Sequence, residues 1–341
     1  MADDLAYQRA ILQDVSRTFA LTIPQLPGRL ADAVGNAYLI CRIADTLEDS
    51  DALTIDEKRR FYEMFIAVVA GDADAAEFAR EVPLRLTKST LDAERDLVAN
   101  TPRVVRVTHS FPEEFQRPMV RCLRIMADGM ERFQEGAFVH GLRDQAHMDA
   151  YCYHVAGVVG EMLTAMFCAY SPAVAEQCEA LERLAVSFGQ GLQMTNILKD
   201  VWDDQARGMC WLPQTVFERH GFDLATLTRD NHGAGFEAGI VDLIAVTRGH
   251  LKDALAYTLL IPKSERGIRQ FCLWALGMAV LTLRKLNRNP GFTRGDEVKI
   301  SRRSVRGTVL ASRLLGGNNA LLKAAFRVAA AGLPRKDATE P

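Results

Sequence analysis

Twelve prolines punctuate the chain, yet the intervals 119–171, 173–212, 214–261 and 263–289 contain none. Proline removes a backbone donor and clashes with the preceding helical turn, so helices end near it and run freely between. Inside these intervals apolar residues recur three and four apart, the period of one helix face, while the alternation of a half-buried strand is hard to find. The chain is therefore expected to be all-α. The pattern predicts helices near 7–15 and over 30–49, 54–70, 74–98, 112–138, 149–169, 174–204, 236–259 and 263–287. Breaks are expected at Pro24, Pro27-Gly28, Ser50-Asp51, Ser171-Pro172 and the irregular piece Gly208–Leu212, with Pro102 and Pro112 as further punctuation. No internal repeat is visible, so a solenoid is disfavoured. A single-domain helical bundle around a central cavity over 1–301, followed by a basic tail over 302–341, is the expected architecture.

One stretch inside that bundle conflicts with simple burial. Leu30, Val34, Tyr38, Cys41, Asp45 and Glu48 are spaced 4, 4, 3, 4 and 3 apart, so in a helix they share a stripe that begins apolar and turns acidic. Asp49 extends the acidic end. Such a run taken alone is ordinary on a solvated helix face. A helix that buries this stripe would instead carry carboxylates inward, where each costs several kcal/mol (~3 or more) to desolvate unless a cation or hydrogen bonds compensate.

A second acidic stripe strengthens the metal reading. Gln193, Asn196, Asp200, Asp204 and Arg207 are spaced 3, 4, 4 and 3 apart, with Leu192, Leu198, Val201 and Trp202 forming much of the apolar remainder. Gln and Asn offer neutral donors and acceptors that can line a polar cavity. Two such helices facing one another could hold hard divalent cations through oxygen ligands. Mg²⁺ suits them best, since it binds through one or two carboxylates, keeps waters and completes its shell with substrate phosphates. The implied substrate is a diphosphate. His109, His140, His147 and His154 lack zinc spacing, and no Glu-x-x-His repeat points to di-iron.

Two smaller features accompany the stripes. Ala156, Gly157 and Gly160 follow Tyr151 and would let a helix or a ligand approach the backbone closely. Arg17 precedes the Pro24–Pro27 turn and is either a solvated cation or a partner for a diphosphate.

Composition limits the alternatives. Of 341 residues 48% are apolar and 25% charged, an ordinary globular balance. The 41 basic and 43 acidic side chains leave a net charge of −2, which gives no global field for nucleic acid. Seven cysteines lack Cys-x-x-Cys spacing and read as small core residues in a reducing compartment. The opening Met1–Asp4 is acidic where a secretion signal would be basic. No apolar run reaches the ~18 residues of a membrane span, Phe271–Leu283 being too short. A cytoplasmic protein follows as the expectation.

Four stretches together, Ser16-Arg-Thr-Phe19, Asp45-Thr-Leu-Glu-Asp49, Tyr151-Cys-Tyr-His-Val-Ala-Gly157 and Gln193-Met-Thr-Asn-Ile-Leu-Lys-Asp200 running on to Asp204, resemble the squalene/phytoene synthase family of head-to-head prenyl transferases. Gln270-Phe-Cys272 and Glu297-Val-Lys-Ile-Ser-Arg-Arg303 extend the likeness, and the latter is similar to a segment of the squalene synthases, tilting it toward those of bacterial type. The resemblance implies an isoprenoid synthase type of fold and the joining of two farnesyl diphosphates through presqualene diphosphate, with NADPH reduction to squalene. It implies Mg²⁺ on Asp45, Glu48, Asp49, Asp200 and Asp204. Arg17 would neutralise a diphosphate, Tyr151 would lie near the reacting carbons, Gln193 and Asn196 would line the cavity, and Phe271 would shield a carbocation. Lys299 and Arg302 would hold a nicotinamide phosphate, or else form a basic surface turn.

The chain departs from the family where a basic residue usually follows the second motif: that position is Met209, and Arg207 is the nearest substitute. Dehydrosqualene, presqualene diphosphate or phytoene synthesis without reductant is the nearer alternative, and a non-catalytic helical interaction protein the remote one. A monomer without nucleic-acid partners is expected. The tail carries Arg302, Arg303, Arg306, Arg313, Lys323 and Arg327 among leucines and alanines, which suits either a solvated helix end or peripheral contact with an anionic membrane.

Overall fold

The computed structural model describes residues 1–16, 18–134 and 138–335. Its longer helices are α1 (Ala2–Val15), α2 (Gly28–Glu48), α3 (Ile55–Ala70), α4 (Ala75–Arg85), α5 (Asp92–Ala99), α6 (Thr101–Thr108) and α7 (Glu113–Gln134). They continue as α8 (Gln145–Cys152), α9 (Val158–Tyr170), α10 (Cys178–Ala206), α11 (Ala234–Leu260), α12 (Arg266–Arg288), α13 (Arg302–Leu315) and α14 (Asn319–Ala329). Among the described residues there is no β-strand beyond isolated bridges such as Leu142 with Pro213. The all-α expectation holds.

The chain divides into two compact units, Met1–Glu135 with Glu161–Cys178, and Gly136–Gly160 with Glu179–Pro341. The first is built around α2, which packs against α1, α3, α5, α6 and α7. Leu30, Ala33, Leu39, Ile43, Ala44 and Leu47 are fully enclosed, so this helix is apolar on more than one face, as a central helix must be. One polar residue, Asn36, is enclosed with them. Its amide donates to Gln8 Oε1 at 3.0 Å and to the Val104 carbonyl at 2.9 Å, and its oxygen accepts from Thr108 at 2.8 Å. That satisfies a buried amide that would otherwise cost stability, and it ties α1, α2 and α6 in one register.

Local signals explain most helix ends. Thr54 and Glu57 form a capping box at the start of α3, and Gly71, with φ +87°, ends it in the left-handed conformation. The helix expected over 74–98 is two helices. The cluster Thr87-Lys-Ser-Thr90 interrupts it, where the Thr87 hydroxyl accepts from the Ser89 N–H at 3.4 Å and replaces a helical bond. Pro102 does not merely punctuate: it sits in the first turn of α6, where its missing N–H costs nothing.

In the second unit α11 and α12 form a hairpin, and α13 packs on α12. Arg269 on α12 is almost wholly buried. It donates to the carbonyls of Ile261 at 2.6 Å, Gly316 at 2.8 Å and Thr258 at 3.3 Å, and to Asn319 Oδ1 at 2.7 Å. One guanidinium thus collects the C-terminal end of α11 and the turn between α13 and α14, using the fork of donors only arginine has. The segment expected as a tail is therefore helical and docked through 302–329, with Ser312 and Leu322 buried.

Two further sequence expectations change. Cys168 and Cys178 form a disulfide with Cα atoms 6.0 Å apart, so these two are not small core thiols. The Ser171-Pro172 break lets the end of α9 and the start of α10 meet, a proximity that ten residues of separation did not signal. The other five cysteines are free thiols, Cys41 half-buried and the rest buried. Second, Gln145–Tyr170 is one helical run of 26 residues whose most apolar window has a mean hydropathy of 1.3; by length and composition alone it is long enough to cross a membrane. Scattered polar residues such as Asp149 hid it from a search for unbroken apolar runs.

Replacing Arg269 with methionine should leave the carbonyls of Ile261 and Gly316 without donors and cost about 3 kcal/mol of stability. A urea-denaturation midpoint lowered accordingly checks this; an unchanged midpoint would refute the anchoring role.

Candidate functional site

In the first unit α2 ends in its acidic motif. Asp45 and Glu48 lie in the last turn and Asp49 caps it, its N–H donating to the Asp45 carbonyl at 2.9 Å. No basic residue occupies that turn. The negative end of a helix dipole disfavours carboxylates, so three of them there are an electrostatic conflict. Leu30 and Val34 on the same stripe are buried, while Tyr38, Cys41, Asp45 and Glu48 are half-buried. The stripe thus passes from core to an accessible acidic end.

Asp45 keeps 39% of its side-chain surface accessible, yet the protein around its carboxyl displaces enough water to raise its pKa to about 7. Arg42, 4.0 Å away, opposes that rise, and Asp49 and Glu94 add to it. Burial, with Asp45 and Asp49 beside it, pushes Glu48 up to about 8. Arg42 pairs with Glu94. Lys58 on α3 donates to the Glu48 carbonyl, and Tyr62 donates to the Ala44 carbonyl at 3.2 Å, so α3 clamps this end of α2. Tyr38 donates its hydroxyl to the Val15 carbonyl at 3.0 Å and sets its ring 5.1 Å from Phe19. Arg17 lies outside the described residues.

In the second unit the other acidic stripe runs down α10. Gln193, Asp200 and Asp204 are half-buried and Asn196 is exposed. Lys199 stands 3.1 Å from Asp200 and donates to Asn196 Oδ1 at 3.3 Å. The opposite face is core: Trp202 is buried and donates to the Phe292 carbonyl at 2.7 Å. Beyond Asp204, whose carbonyl accepts from the N–H groups of Arg207 at 2.9 Å and Met209 at 3.0 Å, the chain reverses through Gly208 at φ +76°. Arg207 is exposed and Met209 half-buried.

Helix α10 is held very close to the run that carries Tyr151. A β-carbon on Gly189 would lie 2.2 Å from the Ala156 carbonyl oxygen, and one on Gly160 would lie 2.2 Å from that of Ala185. The small residues therefore serve backbone-to-backbone packing, the first of the two roles the sequence left open. At the crossing, Tyr153–Gly157 adopts a π-helical turn. Tyr151, one turn earlier, is buried and stacks on Trp211 with centroids 4.0 Å apart and planes 6° from parallel. On the α11 side, Ser187 donates to Asp253 at 2.9 Å and lies 2.8 Å from His250 Nδ1. The serine is the centre of this cluster, so no imidazole links an acid to a nucleophile and the cluster is a packing clasp.

Phe271 is buried on α12, whereas Lys299 and Arg302 are exposed. The segment before Lys299 runs beside α10, since a β-carbon on Gly295 would stand 3.7 Å from the Lys199 carbonyl and 3.8 Å from Asp203 Oδ2. Sequence reasoning missed Lys58, Glu94, Lys199 and Trp211. Only Trp211, two residues before Pro213 and close to the second motif, carried a local signal.

Among the described residues no three carboxylate, imidazole or thiol side chains converge on one point to hold a metal by themselves. The donor set nevertheless fits Mg²⁺, which needs few protein oxygens and completes its shell with water and phosphate. Desolvated carboxyls at a helix C-terminus are what a divalent cation would relieve.

The chain matches the squalene/phytoene synthase family over residues 12–304 and belongs to it. It is 28% identical over 320 residues to the squalene synthase of Saccharomyces cerevisiae, covering 90% of this chain and 67% of that protein. To the squalene synthase of Bos taurus it is 28% identical over 275 residues, covering 80% and 61%. The chain thus spans about two thirds or less of these relatives' length. The fold is shared with a ligand complex of TcSQS at a TM-score of 0.79 and 24% identity, covering 99% of this chain and 94% of that one.

Because the folded protein binds protons at Asp45 and Glu48 more tightly than the unfolded chain, these groups stabilise it fully only below about pH 4. That contribution is lost as pH rises through about 7 and 8. Without divalent cation the melting temperature should therefore fall from pH 5 to 9, and Mg²⁺ should raise it by an increment that grows with pH. Differential scanning fluorimetry in EDTA and in Mg²⁺ checks this; an Mg²⁺ increment independent of pH would refute it.

Proposed function

We propose that the chain is a squalene synthase that condenses two farnesyl diphosphates head to head and reduces presqualene diphosphate to squalene. The observation that carries the reading is the pair Asp45 and Glu48, desolvated at the negative end of α2 within a chain of this family.

Asp45, Glu48 and Asp49, with Asp200 and Asp204, would hold Mg²⁺. When bound, the metal neutralises diphosphate oxygens and so lets the carbon–oxygen bond of one farnesyl diphosphate break. Lys58, donating to the Glu48 backbone carbonyl, and Arg42, 4.0 Å from Asp45, would help hold this end of α2 in place. The allylic cation that departure of the diphosphate would leave would be attacked by the double bond of the second farnesyl diphosphate, with loss of a proton closing the cyclopropane. Tyr151, fixed in orientation by its stack on Trp211, would sit near the reacting carbons. Phe271 would offer its π face to positive charge. Gln193 and Asn196 would line the same cavity. Arg17 and Arg207 would neutralise departing diphosphate, with Met209 leaving one cation fewer than the family pattern. NADPH supplies hydride when bound, and Lys299 and Arg302 would hold its phosphate.

The catalytic domain would comprise 1–301 and act as a cytoplasmic monomer peripheral to a membrane, where its lipophilic substrate and product reside. Purified protein given farnesyl diphosphate, Mg²⁺ and NADPH should yield squalene, and omission of NADPH should divert it to dehydrosqualene or presqualene diphosphate. Asp45→Asn and Asp200→Asn should each lower kcat/KM roughly 100-fold or more. Chromatographic product analysis reads both results, and phytoene formed from geranylgeranyl diphosphate alone would overturn the assignment.

A further inference from the structure

The stretch from Arg302 to Arg335 contains seven basic residues and no acidic one. Among the described residues none of these cations forms an ion pair with a carboxylate. The same stretch exposes large apolar side chains: Leu310 is 59% accessible, Leu314 73%, Leu321 48% and Val328 71%. Arg303, Arg306, Leu310 and Leu314 fall at i, i+3, i+7 and i+11 along α13, which is one helix face, while Arg313 lies over the Trp274 ring at 5.8 Å from its centroid. The inward face is committed elsewhere. Ser312 accepts from Trp274 at 2.6 Å and Thr308 packs against Gly277 of α12.

We propose that the outer face of α13 and α14 is a docking surface for an anionic lipid bilayer. Leucines at the centre of a basic face suit the acyl boundary, while arginines beside them reach back to phosphate headgroups. Charge complementarity selects the negatively charged leaflet. A nucleic acid would use the cations and leave the leucines in water. The surface is also preformed, because Arg269 pins the turn between the two helices to α11 and α12, so little ordering opposes association. The proposal rests on the synthase reading only for its purpose, which is access to farnesyl chains and release of squalene into lipid; the surface is tested without substrate.

Full-length protein should co-float with phosphatidylcholine vesicles containing about one third phosphatidylglycerol, and not with phosphatidylcholine alone. The pair Leu310→Ser with Leu314→Ser should lower the partition coefficient by about 10-fold or more, and so should Arg303→Gln with Arg306→Gln. Melting temperature and squalene synthesis from detergent-dispersed substrate should stay unchanged in both, which separates lost docking from lost folding. Three results would each overturn the proposal: no co-flotation of the parent protein, co-flotation indifferent to the leucine pair, or binding to DNA without binding to vesicles. An inactive enzyme that still floats would refute the synthase reading and leave the docking surface standing.

Discussion

The structure turns on a conflict in α2. A central helix must be apolar nearly all round, and this one is, from Leu30 to Leu47. It ends by presenting Asp45, Glu48 and Asp49 at its negative pole, and for Asp45 and Glu48 desolvation and the neighbouring carboxylates oppose ionisation. Arg42 is shared with Glu94, and Lys58 spends its hydrogen bond on the Glu48 carbonyl rather than a carboxylate. The helix is thus enclosed along most of its length and presents carboxyls at its C-terminal end, where a divalent cation would neutralise them.

The second acidic helix resolves its own burial differently. Helix α10 turns one face, through Trp202, to the aromatic core around Phe236, and another to the glycine crossing with Ala156. Its carboxylates Asp200 and Asp204 are left on the remaining arc, beside Lys199. Chain reversal at Gly208 then brings Trp211 back onto Tyr151. The aspartates and the stacked tyrosine are therefore parts of one continuous construction rather than separate ornaments on helices.

Much of this is legible in the sequence. Periodicity and proline spacing gave away the helices because both follow from local sterics, and the two acidic stripes emerged because charge at core spacing has few explanations. What escaped depended on contacts between distant segments. The Cys168–Cys178 bond needed the turn at Pro172 to be seen. Lys58 and Glu94 reach the first motif from other helices, so no spacing rule points to them. Arg269 carries no signal in its spacing, and only its four oxygen acceptors reveal an anchor. Gly157 and Gly160 were visible as small residues, but whether a helix or a ligand filled the space required a partner backbone.

The π turn at Tyr153–Gly157 has a consequence for how this chain counts. A π turn accommodates one residue more than an α-helix would over the same rise, so everything before it is rotated by about 100° relative to everything after. Tyr151 faces Trp211, while Gly160 faces Ala185, only because that extra residue is present. The tyrosine's address is thus written in the length of the helix as well as in its own identity. An alignment that deletes one position between Tyr151 and Gly160 describes a protein whose tyrosine points elsewhere, however well every motif letter is preserved.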